Sequence, residues 1–235
     1  MGRVITIKNN KGGVGKTFIS AQLAHGLSLL EKRVLILTSD SQNNIFNYLL
    51  KGNKDFEKGL KAEVSKRKGE YFRLRENLYF LPLENSTFGN QFMNELPKYL
   101  ERIREEYDYI VVDSIPVLKV DNIFLENSDH IIIPCFCDEV TIEGVLNLLN
   151  EIDIKKIISI MVNKYKPTEI QNYFLDQLKD QLEGVNLVFP DPIKQLSFIE
   201  KMLYNKKTVW EYQNKEAIQV QDSFYEIIKE LEKIG

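Results

Sequence analysis

The chain has 235 residues, of which 43% are hydrophobic and 28% charged, enough apolar material for a sizeable core and outside the range of disordered or fibrous chains. Its formal net charge of −3 excludes nucleic-acid binding by the surface as a whole, so any such binding must come from a local patch. The two cysteines, Cys135 and Cys137, are too few for a zinc or iron–sulfur site and read as buried thiols of a reducing compartment. No apolar run approaches the roughly 18 residues of a spanning helix. At the N-terminus, Val4 to Ile7 give way to Lys8, Asn9, Asn10 and Lys11 before signal-peptide length, so the expected location is cytoplasmic.

Arg3 to Lys8 predicts a strand, followed by a glycine-rich loop and a helix from about Lys16 to Glu31 carrying Ile19, Leu23, Ala24, Leu27 and Leu30. Further strands are expected at Val34 to Leu37, Leu78 to Leu83, Tyr109 to Val112, His130 to Pro134, Ile157 to Val162 and Leu187 to Phe189. Helices are expected before Tyr109, starting at Pro97, and over Thr141 to Ile152 and Thr168 to Leu182. Strands apolar on both faces, alternating with helices, predict an α/β fold: one doubly wound, mostly parallel sheet flanked by helices, as a single domain over residues 1–235. The stretch least committed to that pattern is Lys51 to Arg75, with nine basic and four acidic residues. Near the C-terminus, Val220, Phe224, Ile227, Leu231 and Ile234 form an apolar stripe. Four acidic residues against two lysines between Gln221 and Lys233 favour its packing on the core over lying on a lipid surface.

Ligands of such sheets bind at the C-terminal ends of the strands. The loop after the first strand, Asn10-Lys11-Gly12-Gly13-Val14-Gly15-Lys16-Thr17, has the composition of a phosphate cradle. Its glycines let successive N–H groups face phosphate oxygens, and the following helix adds the positive end of its dipole. Lys16 is placed to reach the β- and γ-phosphates and the Thr17 hydroxyl to ligate Mg²⁺. The strict G-x-x-x-x-G-K-[ST] pattern is not met, because Asn10 stands five residues before Gly15, and a second lysine, Lys11, precedes the Gly-Gly pair.

K-G-G-V-G-K-T resembles the deviant Walker A motif of the ParA/MinD group of ATPases. The resemblance continues in Ser39 to Asn44, similar to D-x-D-P-Q-G-N at Asp40, Gln42 and Asn44, and in Tyr107 to Pro116, similar to Y-D-Y-I-I-I-D-T-x-P. Asp129 to Pro134 with Glu143-Gly144, and Val209 to Tyr212, resemble two further family segments. The resemblance implies a P-loop NTPase fold of the deviant Walker A type with ATP and Mg²⁺ as cofactors. It implies nucleotide contacts from Lys11, Gly12, Gly13, Val14, Gly15, Lys16, Thr17 and Phe18. It implies a homodimer formed face to face with ATP, in which Lys11 reaches the partner's phosphates. Asp40 matches the carboxylate that positions the attacking water, and with Thr17 and Asp113 it belongs to the implied Mg²⁺ site. Three positions depart from the family: Thr38 replaces the first Asp, Ser41 replaces Pro, and Asn43 replaces Gly. A guanine-specific site carries N-K-x-D, whereas Asn163-Lys164-Tyr165-Lys166 ends in lysine, so ATP is favoured over GTP; Asn163, Pro190 and Asp191 are the expected base contacts.

Among the family's branches, the resemblance is greatest to small ParA-like partition ATPases. These bind DNA without sequence preference, associate with the nucleoid and answer to a ParB-like centromere-binding adaptor protein. The first strand begins at Arg3, so operator-specific repression by this chain is not expected. No membrane partner is expected, with a MinD-type ATPase of the membrane surface as the alternative. Candidate DNA contacts are Lys194, Lys201, Lys206 and Lys207, or the Lys51 to Arg75 stretch.

Overall fold

The computed structural model describes residues 1–115 and 118–234. Pro116, the last residue of the third family-like segment, lies outside them. In chain order the elements are β1 (Arg3–Ile7), α1 (Lys16–Ser28), β2 (Val34–Thr38), α2 (Asn44–Leu49), α3 (Leu60–Lys66), β3 (Phe72–Arg75), β4 (Leu78–Leu81) and α4 (Asn90–Ile103). Then follow β5 (Tyr109–Asp113), α5 (Leu118–Glu126), β6 (His130–Cys135), α6 (Glu139–Glu151), β7 (Ile157–Val162), α7 (Glu169–Gln181), α8 (Ser197–Tyr204) and α9 (Lys215–Lys233). The strands form one seven-stranded sheet in the order β3-β4-β2-β5-β1-β6-β7. Every pairing is parallel except β3 with β4.

Asp113 pairs in register with Ile7 on one side and Thr38 on the other, so β1, β2 and β5 end level. The chain moves outward from β1 through β2 to β4, returns as β5, and continues beyond β1 as β6 and β7. That reversal opens a crevice at the C-terminal ends of the central strands. Successive strand residues serve opposite faces: Ile132 packs with α1 and α9, whereas Ile131 and Ile133 pack with α6 and α7. Helix α1 is buried on nearly every side, between the sheet and α9, so it has no polar face. The C-terminal stripe does pack on the core: Val220, Phe224, Ile227 and Leu231 are buried, and only Ile234 is exposed. Among the described residues no helix is long and apolar enough to cross a membrane.

Three expectations are corrected. Helix α4 begins at Asn90, not Pro97; the proline lies inside it, where the helix is held by Phe92 and Leu96 on one side and Tyr99 and Leu100 on the other, all buried. Leu187 to Phe189 does not form a strand of the sheet, since only Val188 bridges, to Ser159 on the outer side of β7. The Lys51 to Arg75 stretch supplies α3 and the antiparallel edge strand β3. In β3 only Leu74 is buried, and its arginines mask the strand pattern.

Candidate nucleotide site

The loop between β1 and α1 is braced from within. Asn9 donates through Nδ2 to the Pro134 carbonyl (2.7 Å), and its Oδ1 accepts from the Lys11 amide (2.7 Å). Lys16 Nζ folds back into the loop and donates to the carbonyls of Asn9 (3.0 Å) and Lys11 (2.9 Å). Burial lowers the pKa of this ammonium, and Asp113 opposes the shift. Lys8, at the end of β1, forms a buried ion pair with Asp121 of α5 beneath the loop. Gly15 has φ +99°, and a Cβ there would stand 2.1 Å from Asn163 Nδ2. Only glycine permits both the backbone and the approach. Asn163 uses that closeness to donate to the Val14 carbonyl at 2.9 Å.

Asp113 lies under this loop, 2% exposed. Burial pushes its carboxyl up to about 7 and Asp40 adds to the rise, while a hydrogen bond from Thr17, the charge of Lys16 and Ser20 pull it back. Asp40 faces it from the second loop and is oriented on each side: Oδ1 accepts from the Gln42 amide (2.9 Å) and Oδ2 from Asn44 Nδ2 (3.1 Å). Thr38 does the joining here. Its hydroxyl donates to the Asp113 carbonyl (3.1 Å) and accepts from the Asp40 amide (3.0 Å), tying the two acidic residues' backbones together. Asn43 adopts φ 49°, the left-handed region that glycine or asparagine takes with least cost. Its side chain donates to the carbonyls of Ser41 (3.0 Å) and Leu83 (2.9 Å) and accepts from the Leu83 amide (2.8 Å). Ser41 shares a hydrogen bond with Ser86. All three departures from the family pattern therefore bind the loop in place.

These elements enclose a cavity of about 560 Å³. Of the residues singled out from the sequence, Gly12, Gly13, Gly15, Lys16, Thr17, Phe18, Asp40 and Asn163 line it. Val14 is buried behind the loop, and Lys11 turns its ammonium away toward Asp138. Pro190 and Asp191 do not line it; that wall comes from Lys194, Gln195 and Leu196. Sequence reasoning also missed Tyr48, Ile199 and Leu203, which complete the apolar side. Tyr48 lies one helical turn after Asn44, a spacing that marks a shared face.

The far ends of α1 and α2 are joined by a polar chain. Arg75 donates to the Leu49 carbonyl (3.0 Å), the Lys206 carbonyl (2.7 Å) and Glu211 Oε2 (3.0 Å). Glu211 accepts from the Thr208 amide (2.8 Å), and the Thr208 hydroxyl shares a hydrogen bond with His25 Nδ1 (2.6 Å). Burial pushes His25 down to about 4, with Glu211 raising it and Arg75 lowering it.

The residues present fit ATP with Mg²⁺. A loop of N–H donors with one buried lysine suits a polyphosphate, and a buried Asp113 pushed up to about 7 beside a threonine hydroxyl is a carboxylate short of positive charge. Thr17 and Asp113 are the residues that would hold Mg²⁺, an oxygen-seeking ion suited to a hydroxyl and a carboxylate. A mostly parallel sheet with such a loop after β1, one of its inner strands, defines a P-loop nucleoside triphosphatase.

A family model described as an AAA domain matches residues 2–165. The chain belongs to that family, in its ParA/MinD group of ATPases. It is 32% identical to the sporulation initiation inhibitor protein Soj of Bacillus subtilis over 165 residues, which is 65% of each chain. It is 31% identical to the chromosome partitioning protein ParA of Myxococcus xanthus over 169 residues, 66% of this chain and 60% of that protein. Both matches thus span less than two thirds of the relative's own length. The septum site-determining protein MinD of Pyrococcus horikoshii, solved in complex with Mg-ADP, has the same fold. It superposes with a TM-score of 0.75 at 18% identity, covering 100% of this chain and 97% of that one.

Proposed function

We propose that residues 1–235 act as one ATP-switched unit that binds DNA without sequence preference and serves DNA partition. The observation that carries the reading is the joined pair of loops: Lys16 and Thr17 over Asp113 on one side, an oriented Asp40 on the other. When bound, Mg-ATP supplies a transferable phosphoryl group whose charge the metal helps to spread. Lys16 and the loop amides hold the β- and γ-phosphates, Thr17 and Asp113 hold the metal with its water, and Asp40 orients the attacking water. In the dimer Lys11 extends to the partner's phosphates, and a ParB-like adaptor sets the rate of hydrolysis, resetting a nucleoid-associated state.

One feature favours DNA over a membrane surface: the apolar stripe of α9 is consumed by the core. The exposed cations that a polyanion would meet are gathered on short segments, notably Lys66, Arg67 and Lys68. Lys201 is exposed as well, whereas Lys206 donates to the Asn47 carbonyl and Lys194 lines the cavity. Co-sedimentation with DNA and with anionic liposomes, each with and without ATP, tests the reading. Binding is expected to DNA, only with ATP, with a slope of log affinity against log salt of roughly −4 to −8. Neutralising Lys66, Arg67 and Lys68 is expected to flatten that slope more than a Lys206/Lys207 double alanine variant. Tight binding to vesicles in place of DNA, or equal DNA binding without nucleotide, would overturn it.

A further inference from the structure

The apolar side of the cavity is carried by two short helices, α2 with Tyr48 and α8 with Ile199 and Leu203. Helices of six and eight residues do not hold themselves together in water, so what fastens their ends decides where that wall stands. Helix α2 is pinned at its start by the backbone bonds of Asn43 and on one side by Phe46, whose ring meets those of Phe72 (4.8 Å) and Phe80 (4.9 Å). The carbonyls of its last turn have no partner within the helix. The Leu49 carbonyl accepts instead from Arg75 Nη1 at 3.0 Å, and the Asn47 carbonyl from Lys206 Nζ. Arg75 Nη2 donates at the same time to the Lys206 carbonyl (2.7 Å), in the turn that leaves α8, and to Glu211 Oε2 (3.0 Å). Burial works to raise the Glu211 carboxyl, but hydrogen bonds from Arg75 and the Thr208 amide, with the Arg75 charge, hold it below its ordinary value.

One guanidinium thus ties the end of α2, the turn after α8 and Glu211 together from behind, while Arg75 itself does not line the cavity. The opposite end of α2 is where the tie matters. Asn44, its first residue and about 7.5 Å along the axis from Leu49, donates to Asp40 Oδ2 at 3.1 Å. A helix fastened at its start swings about that point when its far end is released, and Asn44 moves with it. We propose that Arg75 is a positioning residue for ATP hydrolysis: by clamping α2 against α8 it fixes the angle at which Asn44 holds the Asp40 carboxylate. The inference rests on the reading above, in which Asp40 orients the attacking water. Misplacing such a group by about 1 Å can cost on the order of a hundredfold in rate. Asp40 keeps its second hold, on the Gln42 amide, so the expected loss is smaller.

Arg75→Met keeps most of the stem and removes the fork, whereas Arg75→Lys restores a single charged donor. Glu211→Gln keeps an oxygen for the Thr208 amide and removes the charge that anchors the fork. Equilibrium ATP affinity, and phosphate release under single-turnover conditions with Mg²⁺ well below each melting temperature, are compared for wild type, these variants, Asp40→Ala, Asn44→Ala and Arg75→Met/Asn44→Ala. Arg75→Met is expected to slow hydrolysis of bound ATP about fivefold to tenfold while ATP affinity stays within about threefold. Arg75→Lys should recover part of the rate, and Glu211→Gln should lose about twofold to threefold. In the Asn44→Ala background Arg75→Met should slow hydrolysis no further, a non-additivity that general loosening does not give. If Arg75→Met melts too low to be measured, Arg75→Lys and Glu211→Gln must show the same split between rate and affinity. Lost ATP affinity with an unchanged rate from bound ATP, or losses that add to those of Asn44→Ala, would overturn the role of Arg75. A parent rate in Arg75→Met with Asp40→Ala impaired would do the same and leave the reading of Asp40 intact. Hydrolysis at the parent rate by Asp40→Ala would overturn both.

Discussion

The two loops that meet at the cavity solve the same backbone problem in opposite ways. The first uses glycine at positive φ, at Gly13 and Gly15, and keeps its surface bare. The second puts asparagine at positive φ, at Asn43, and spends the side chain on three hydrogen bonds to neighbouring backbone. Bare backbone is required where phosphate or Asn163 must approach, whereas a side-chain brace serves where the loop itself must be held. The helices they launch differ in step. Helix α1 is sheathed by the core, while the six-residue α2 ends on Arg75 and Lys206.

The comparison is broken hardest at the charges. Lys16→Ala is expected to lower ATP affinity by on the order of a hundredfold or more, since it removes the ammonium at the centre of the first loop; equilibrium ATP binding measures it. Asp40→Ala should leave ATP and Mg²⁺ binding within a few-fold of wild type while slowing hydrolysis by on the order of a hundredfold, read as phosphate release under single-turnover conditions. A variant hydrolysing at the parent rate would show that the second loop does not orient the water.

The link between the two helices gives a pH signature. His25 falls from 6.5 to about 4 on folding. Between those values the unfolded chain binds a proton that the folded chain refuses, so stability falls as pH drops below 6.5 and levels off below 4. The full loss is about 3 kcal/mol. Urea midpoints from pH 7.5 to 4 should show this fall in wild type and a smaller one in His25→Gln. The finest test lies at Asn43. Asn43→Gly keeps the backbone and loses three bonds, at about 1–2 kcal/mol, and Asn43→Ala adds about 1 kcal/mol for the left-handed conformation. Chemical denaturation should rank wild type above Gly above Ala; Gly equal to wild type would mean that the brace contributes nothing.

The buried strands were legible because a parallel sheet covered on both faces demands unbroken apolar runs, as in Val34–Thr38 and Tyr109–Asp113. β3 was not, because an edge strand with one buried residue leaves Arg73 and Arg75 to dominate the pattern. Leu187 to Phe189 misled for the converse reason: Leu187 and Phe189 pack on the α6/α7 cluster and Val188 on the α1/α9 cluster, without a strand's ladder. In the site, the phosphate loop was readable since its chemistry depends on residue type and spacing. Tyr48, Ile199 and Leu203 were not, since they contribute shape from short helices that carry no chemical motif. The meaning of Thr38 and Asn43 also needed coordinates: from sequence each is a lost family residue, and in space each is a replacement fastening.

The two margins of the sheet have a consequence for polymerisation. On one side β3 is four residues long, its register breaks between Arg73 and Arg75, and the Arg75 guanidinium is spent on Leu49, Lys206 and Glu211. On the other, Val188 caps β7 by giving its amide to the Ile158 carbonyl and its carbonyl to the Ile160 amide. Neither margin offers an uninterrupted row of free peptide groups, so strand addition between molecules has no template at either end. Contact between molecules of this chain therefore does not by itself seed cross-β aggregation.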